Sequence, residues 1–166
     1  IIVYSNCDEV ELRLNNKKIG RSKVFSDSCF VRFPGVKYRR GNLEAIALRN
    51  NRPVSRHKLT TAGKPARIEA INAKGNNVDC IELRIVDKHG TIVPKFDGSI
   101  NLSTEGCEIV GIDNGNQYDP DGLKYTSFSK GSFHNGKIRL YIRHDGNHSG
   151  KYFVKTDKIG NFSFNL

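Results

Sequence analysis

The chain has 166 residues, a formal net charge of +10, no Met, and 37% hydrophobic against 27% charged residues. No run approaches 18 consecutive apolar residues, so no membrane-spanning helix is expected. No charged start followed by an apolar stretch and a small-residue cleavage site marks a signal peptide. The missing Met and a start that reads as the inside of a strand, Ile1-Ile2-Val3-Tyr4, predict a segment of a longer protein.

Along the chain the dominant pattern is alternation with period 2 in short runs, which predicts strands. Val10, Leu12 and Leu14 share one face, opposite Glu9, Glu11 and Arg13, and Asn15-Asn16 then suits a tight turn. Phe30 and Phe33 bracket the next run, which stops at Pro34-Gly35. Leu43 to Leu48 is mostly apolar on both faces, as in a central strand, and Val54 to Thr60 closes a first module. Thr61-Ala62-Gly63-Lys64-Pro65 reads as a linker, because Gly and Pro end strands.

A second module begins at Ala66, with Ile68 and Ala70 on one face. Ile81, Leu83 and Ile85 alternate with Glu82 and Arg84, and Asp87-Lys88-His89-Gly90 supplies a turn. Ile100, Leu102 and Thr104 form another strand. Asn135-Gly136 is the strongest hairpin signal, since both residues tolerate the positive φ of a type I′ turn. Ile138, Leu140 and Ile142 then face inward, followed by Tyr152 and Val154, then by Phe162, Phe164 and Leu166. No segment shows a 3.6-residue period. Short strands at this spacing predict an all-β chain of two immunoglobulin-like β-sandwich domains in tandem, residues 1–64 and 65–166.

The charge is uneven. Residues 1–64 hold 14 Lys and Arg against 5 Asp and Glu, whereas residues 65–166 hold 13 against 12. Such asymmetry suggests that the modules face different surroundings, the basic one meeting solvent or an acidic partner. Cys7, Cys29, Cys80 and Cys107 lack metal-knuckle spacing and are read as free thiols.

Several stretches together resemble family 2 glycoside hydrolases of the bacterial β-galactosidase type. Val3-Tyr4-Ser5-Asn6-Cys7-Asp8-Glu9-Val10-Glu11-Leu12-Arg13-Leu14-Asn15-Asn16-Lys17-Lys18-Ile19-Gly20 resembles a stretch that follows their catalytic barrel, with Asn16 where Gly is usual. Gly41-Asn42-Leu43-Glu44-Ala45 and Thr60-Thr61-Ala62-Gly63-Lys64-Pro65-Ala66 resemble later landmarks of that module. Ile85-Val86-Asp87-Lys88-His89-Gly90 with Val93-Pro94, and Val110-Gly111-Ile112-Asp113-Asn114-Gly115-Asn116, resemble two loops of the next. The resemblance implies C-terminal accessory modules of a bacterial enzyme, periplasmic or extracellular, that hydrolyses β-glycosidic bonds. It places both catalytic Glu residues in a (β/α)₈ barrel N-terminal to Ile1, so no catalytic residue and no cofactor is expected on this chain. The barrel of the same parent chain is the expected partner, with carbohydrate or a neighbouring subunit as a further one.

A glycosidase needs two carboxylates. Glu9 and Glu11 share a strand face that is expected to be solvent, with neither pKa shifted. His144 and His148 flank a turn, without a Cys or Glu nearby to complete a metal site. Asp113, Asn114, Asn116, Asp119 and Asp121 form an oxygen-rich loop that is a candidate calcium site, although Lys124 stands where an EF-hand has Glu. The alternative is a loop whose side chains cap its own backbone. The Asn-x-Ser tripeptides at Asn101, Asn147 and Asn161 match chance in so Asn-rich a chain. Carbohydrate candidates are Tyr38, Tyr118, Tyr125 and Phe128, in a chain without Trp. Lys37, Arg39, Arg40, Arg49, Arg52, Arg56 and Lys58 concentrate charge near Tyr38, but interleaved acids and the lack of an aromatic strand platform argue against nucleic acid. Two other readings stay open: a carbohydrate-binding module pair, and an immunoglobulin-like segment of a cell-surface adhesin.

Overall fold

The computed structural model describes residues 1–25, 27–118, 123–124, 128–146 and 149–166. Among them every regular element is a β-strand. The chain divides into two compact units, Ile1–Thr61 and Ala62–Leu166, each with its own hydrophobic cluster. The all-β sandwich class read from the alternation is the class observed.

The first unit contains β1 (Ile2–Tyr4), β2 (Glu9–Leu14), β3 (Lys17–Lys23), β4 (Phe30–Arg32), β5 (Asn42–Arg49) and β6 (Arg52–Thr60). A four-stranded antiparallel sheet runs β3-β2-β5-β6, and β1 pairs with β4 in a separate ribbon. The inward phase of β2, Val10 and Leu12, packs with Val31 and Phe33 and is flanked by Val3, Leu43 and Ala45. The ribbon thus covers one sheet face, because burial of apolar surface is the main gain available to a unit this small. Two hairpins turn on Asn pairs with positive φ, Asn15-Asn16 (51° and 67°) and Asn50-Asn51 (50° and 64°). Both dihedral pairs match the type I′ geometry that fits strand twist. The second pair was not singled out in the sequence. Asn15 has a further role: its amide donates to the Arg40 carbonyl at 3.0 Å and its oxygen accepts from the Asn42 N–H at 2.8 Å.

The second unit contains β7 (Arg67–Ala73), β8 (Val78–Val86), β9 (Ser99–Glu105), β10 (Glu108–Asp113), β11 (Leu123–Lys124), β12 (Lys130–Ser132), β13 (Lys137–Arg143), β14 (Lys151–Thr156) and β15 (Gly160–Asn165). One sheet runs β11-β10-β13-β8-β7 and the other β12-β9-β14-β15. Ile81, Leu83, Ile85, Ile138, Leu140 and Ile142 from the first sheet share a core with Ile100, Leu102, Tyr152 and Val154 from the second. The Tyr152 ring stacks on Phe164 at 5.1 Å, and burial pushes its phenol pKa upward.

Asn135-Gly136 does adopt the expected dihedrals, with φ of 52° and 72°. It does not close a hairpin within one sheet. β12 belongs to one sheet and β13 to the other, and only the His134–Lys137 bridge pairs across the turn. Partner strands decide this outcome. β12 is taken by β9 and β13 by β8 and β10, so the turn becomes a corner between sheets. The Gly136 carbonyl accepts from Ile85 N–H at 2.8 Å, and its own N–H donates to Phe96 at 3.0 Å.

Candidate functional site

Glu9, Glu11 and Glu44 of the first unit are held by cations, while Asp8 accepts the Asn50 N–H at 2.7 Å. Glu9 is bound by Arg21, which also reaches Asn51. Glu11 departs from expectation, because it is buried at 8% exposure. Arg13 Nε donates to it at 2.7 Å and Lys18 Nζ lies 3.3 Å away. The hydrogen bond from Arg13, with Lys18, lowers its pKa against the upward push of burial. The face shared by Glu9 and Glu11 is therefore not plain solvent. Its neighbours Ile46 and Leu48 are buried, and the stems of Arg and Lys side chains are suited to covering such apolar ground.

Asp87, in the Val86-Asp87-Lys88-His89-Gly90 stretch, is a turn anchor. Its carboxylate accepts backbone N–H bonds from Gly63 at 2.7 Å and from His89 and Thr91, both at 2.9 Å. The Gly63 bond is the largest cause of a lowered pKa. Three N–H donors leave this carboxylate occupied as a structural acceptor.

The oxygen-rich loop divides between described and undescribed residues. Asp119 and Asp121 lie outside the described residues. The other three side chains cap the loop's own backbone: Asp113 accepts from Gly115 at 2.7 Å, Asn114 from Asn116 at 2.9 Å, and Asn116 from Tyr118 at 3.1 Å. Successive bonds of this kind are what Asx turns provide. Among the described residues no group of three or more His, Cys, Asp or Glu is placed to hold a metal ion.

His148 also lies outside the described residues, and His144 proves to be a core residue. Its side chain and that of Asp79 have no exposure. The Gly146 N–H donates to His144 Nδ1 at 3.0 Å, which leaves the proton on Nε2, 3.3 Å from Asp79 Oδ1. Asp79 also accepts from Asn72 Nδ2 at 3.1 Å and Gly75 N–H at 2.9 Å. The pair joins the β7–β8 and β13–β14 connections. Asp79 went unnoticed in the sequence, yet a signal was there. It occupies the same strand phase as Ile81, Leu83 and Ile85, as His144 does with Ile138, Leu140 and Ile142.

The aromatic candidates separate. Tyr38 and Tyr118 are 78% and 86% exposed. Tyr125 lies outside the described residues. Phe128 is half-buried and packs against the second core. The sequence reading missed Tyr4, 77% exposed, whose ring lies 5.9 Å from Phe30, on which Arg32 stacks at 5.3 Å. Their shared face follows from the register of β1 with β4, which sets Tyr4 opposite Phe30 and Ile2 opposite Arg32. All four cysteines are unpaired.

Outside the chain itself, residues 65–160 match the family described as "Glycoside hydrolase family 2 C-terminal domain 5", and residues 1–55 match one described as "Domain of unknown function (DUF4982)". A β-galactosidase of Bacteroides ovatus, BoGH2A, is 30% identical over 86% of the chain. A putative β-glucuronidase of Formosa agariphila is 29% identical over 85% of it. The chain spans 17% and 14% of the length of these two relatives. Among solved structures, a glycosyl hydrolase family 2 member from Bacteroides cellulosilyticus superposes with a TM-score of 0.90. It is 24% identical, covering 99% of this chain and 23% of that one, and so attests the fold.

Proposed function

The chain belongs to the glycoside hydrolase family 2 C-terminal domain 5 family, and from that premise we propose that it forms two non-catalytic accessory modules of a larger enzyme that hydrolyses β-glycosidic bonds. The observation that carries this reading is coverage: relatives match most of this chain but use it for less than a fifth of their own length. The chemistry of the carboxylates supports it. Glu9, Glu11 and Glu82 are bound to cations, and Asp87 to backbone N–H groups. A glycosidase instead needs a protonated acid facing a free carboxylate across the scissile bond. The modules' role is to brace the catalytic barrel of the same parent chain.

The test is direct. The purified 166-residue chain is incubated with p-nitrophenyl β-galactoside and β-glucuronide, and no release above the buffer blank is expected. Turnover by the chain alone would sink the reading. Deleting these residues from the parent is expected to lower its melting temperature while leaving both catalytic Glu residues in place.

A second reading, carbohydrate binding without catalysis, is favoured by the exposure of Tyr4, Tyr38 and Tyr118. An exposed aromatic ring offers its face to sugar C–H groups. Retardation of the chain in polyacrylamide gels containing soluble glycan, lost in Tyr4→Ala or Tyr118→Ala, is its test.

A further inference from the structure

Strand β6 is an edge of the first unit's sheet, and all nine of its residues, Arg52–Thr60, are exposed. Its phase follows from the hydrogen bonding. Thr61 N–H donates to the Gly41 carbonyl at 2.9 Å, so in alternation Leu59 and His57 turn their backbone groups toward β5. Arg56, Lys58 and Thr60 then turn their N–H and C=O groups away from the sheet, ready to pair with an added strand.

The side chains sort by the same alternation. Arg56 and Lys58 stand on one face, opposite Ile46 and Glu44 of β5. Glu44 is bonded to Arg56 at 3.2 Å. Leu59 stands on the other face, opposite Leu43, and is 58% exposed. A strand paired here meets Arg56, His57, Lys58 and Leu59 in succession, with the two cations on one face and His57 and Leu59 on the other. A second copy of β6 would set cations opposite cations, which disfavours pairing.

We propose that the β6 edge is a docking site for an extended segment in which acidic and apolar residues alternate, added to the sheet as a fifth strand. Main-chain bonds to Arg56, Lys58 and Thr60 supply attachment, while acids two residues apart select against other sequences. The argument stands on the geometry of the first unit alone, so it survives or fails independently of the family-based reading above.

The probe is a capped peptide, Thr-Val-Glu-Val-Glu-Val-Thr, titrated into the ¹⁵N-labelled 166-residue chain, with the Gln-for-Glu peptide as control. Saturable shifts confined to amides of residues 52–61 are expected, weakening as salt rises. Lys58→Glu, at an exposed position, is expected to lower affinity about tenfold. Four outcomes would overturn the proposal: no saturable shift at millimolar peptide, equal binding of the Gln peptide, shifts mapping elsewhere, or unchanged affinity in Lys58→Glu. Self-association of the chain through β6 without peptide would overturn it too.

Discussion

Gly20→Ala separates two opposed physical effects in the first unit. A glycine within a strand is entropically costly, and Ala in its place is worth about 0.5–1 kcal/mol when space allows. Here space does not allow it. A Cβ on Gly20 would stand 2.7 Å and 2.9 Å from two ring carbons of Phe33, a core residue with 7% exposure. Relieving such overpacking costs about 1–3 kcal/mol. The net expectation is a loss of about 1–2 kcal/mol, which in a unit of this size lowers its melting temperature by roughly 5–15 °C. Phe33→Leu alone costs about 1–2 kcal/mol by removing buried ring atoms. It also opens the space the Ala methyl needs, so the double variant is expected to be more stable than the sum of the singles by about 0.5–2 kcal/mol. Urea unfolding followed by the dispersed amide signals of β2 and β3 measures all three. If Gly20→Ala matches or exceeds the parent chain in stability, or costs the same with Leu at position 33, the steric account is wrong.

Other expectations follow from particular residues. Leu140→Ala, fully buried in a central strand flanked by β8 and β10, is expected to cost about 2–5 kcal/mol and to lower the second unit's melting temperature by at least about 10 °C, read by thermal denaturation. Asp87 has its pKa lowered in the folded state, so its contribution is complete above the ordinary carboxylate range and is lost as pH falls through that range toward the lowered value. Asp87→Asn is therefore expected to be less stable at pH 7 and to show a shallower stability loss between about pH 5 and 3; an unchanged pH profile would refute the anchor role. Because Asp113, Asn114 and Asn116 already cap their own loop, excess chelator is expected to leave the melting temperature unmoved, and a drop would revive the calcium site. Asn16→Gly, which places the residue usual in the resembling stretch at a φ of 67°, is expected to be neutral or mildly stabilising in urea unfolding.

The inward and outward phases of β2, β8, β9 and β13 were legible in the sequence, because period-2 alternation is imposed by local backbone geometry and needs no knowledge of partners. So were the dihedral demands at Asn15-Asn16 and Asn135-Gly136, which are properties of two residues. What those turns connect was not legible. Asn135-Gly136 bends between sheets because β12 and β13 find their hydrogen bonds on strands far away in the chain, and pairing is a long-range choice. Burial of ionisable groups escaped for the same reason. Glu11 reads as a surface acid until Arg13 and Lys18 close over it, and Asp79 and His144 lie 65 residues apart until adjacent strands bring them together. The sequence by itself determined which side of each strand is apolar and where the chain turns. Only the tertiary structure decided which strands pair, which charges are buried, and that β6 is left as an exposed edge, because these depend on contacts between residues that no local pattern relates.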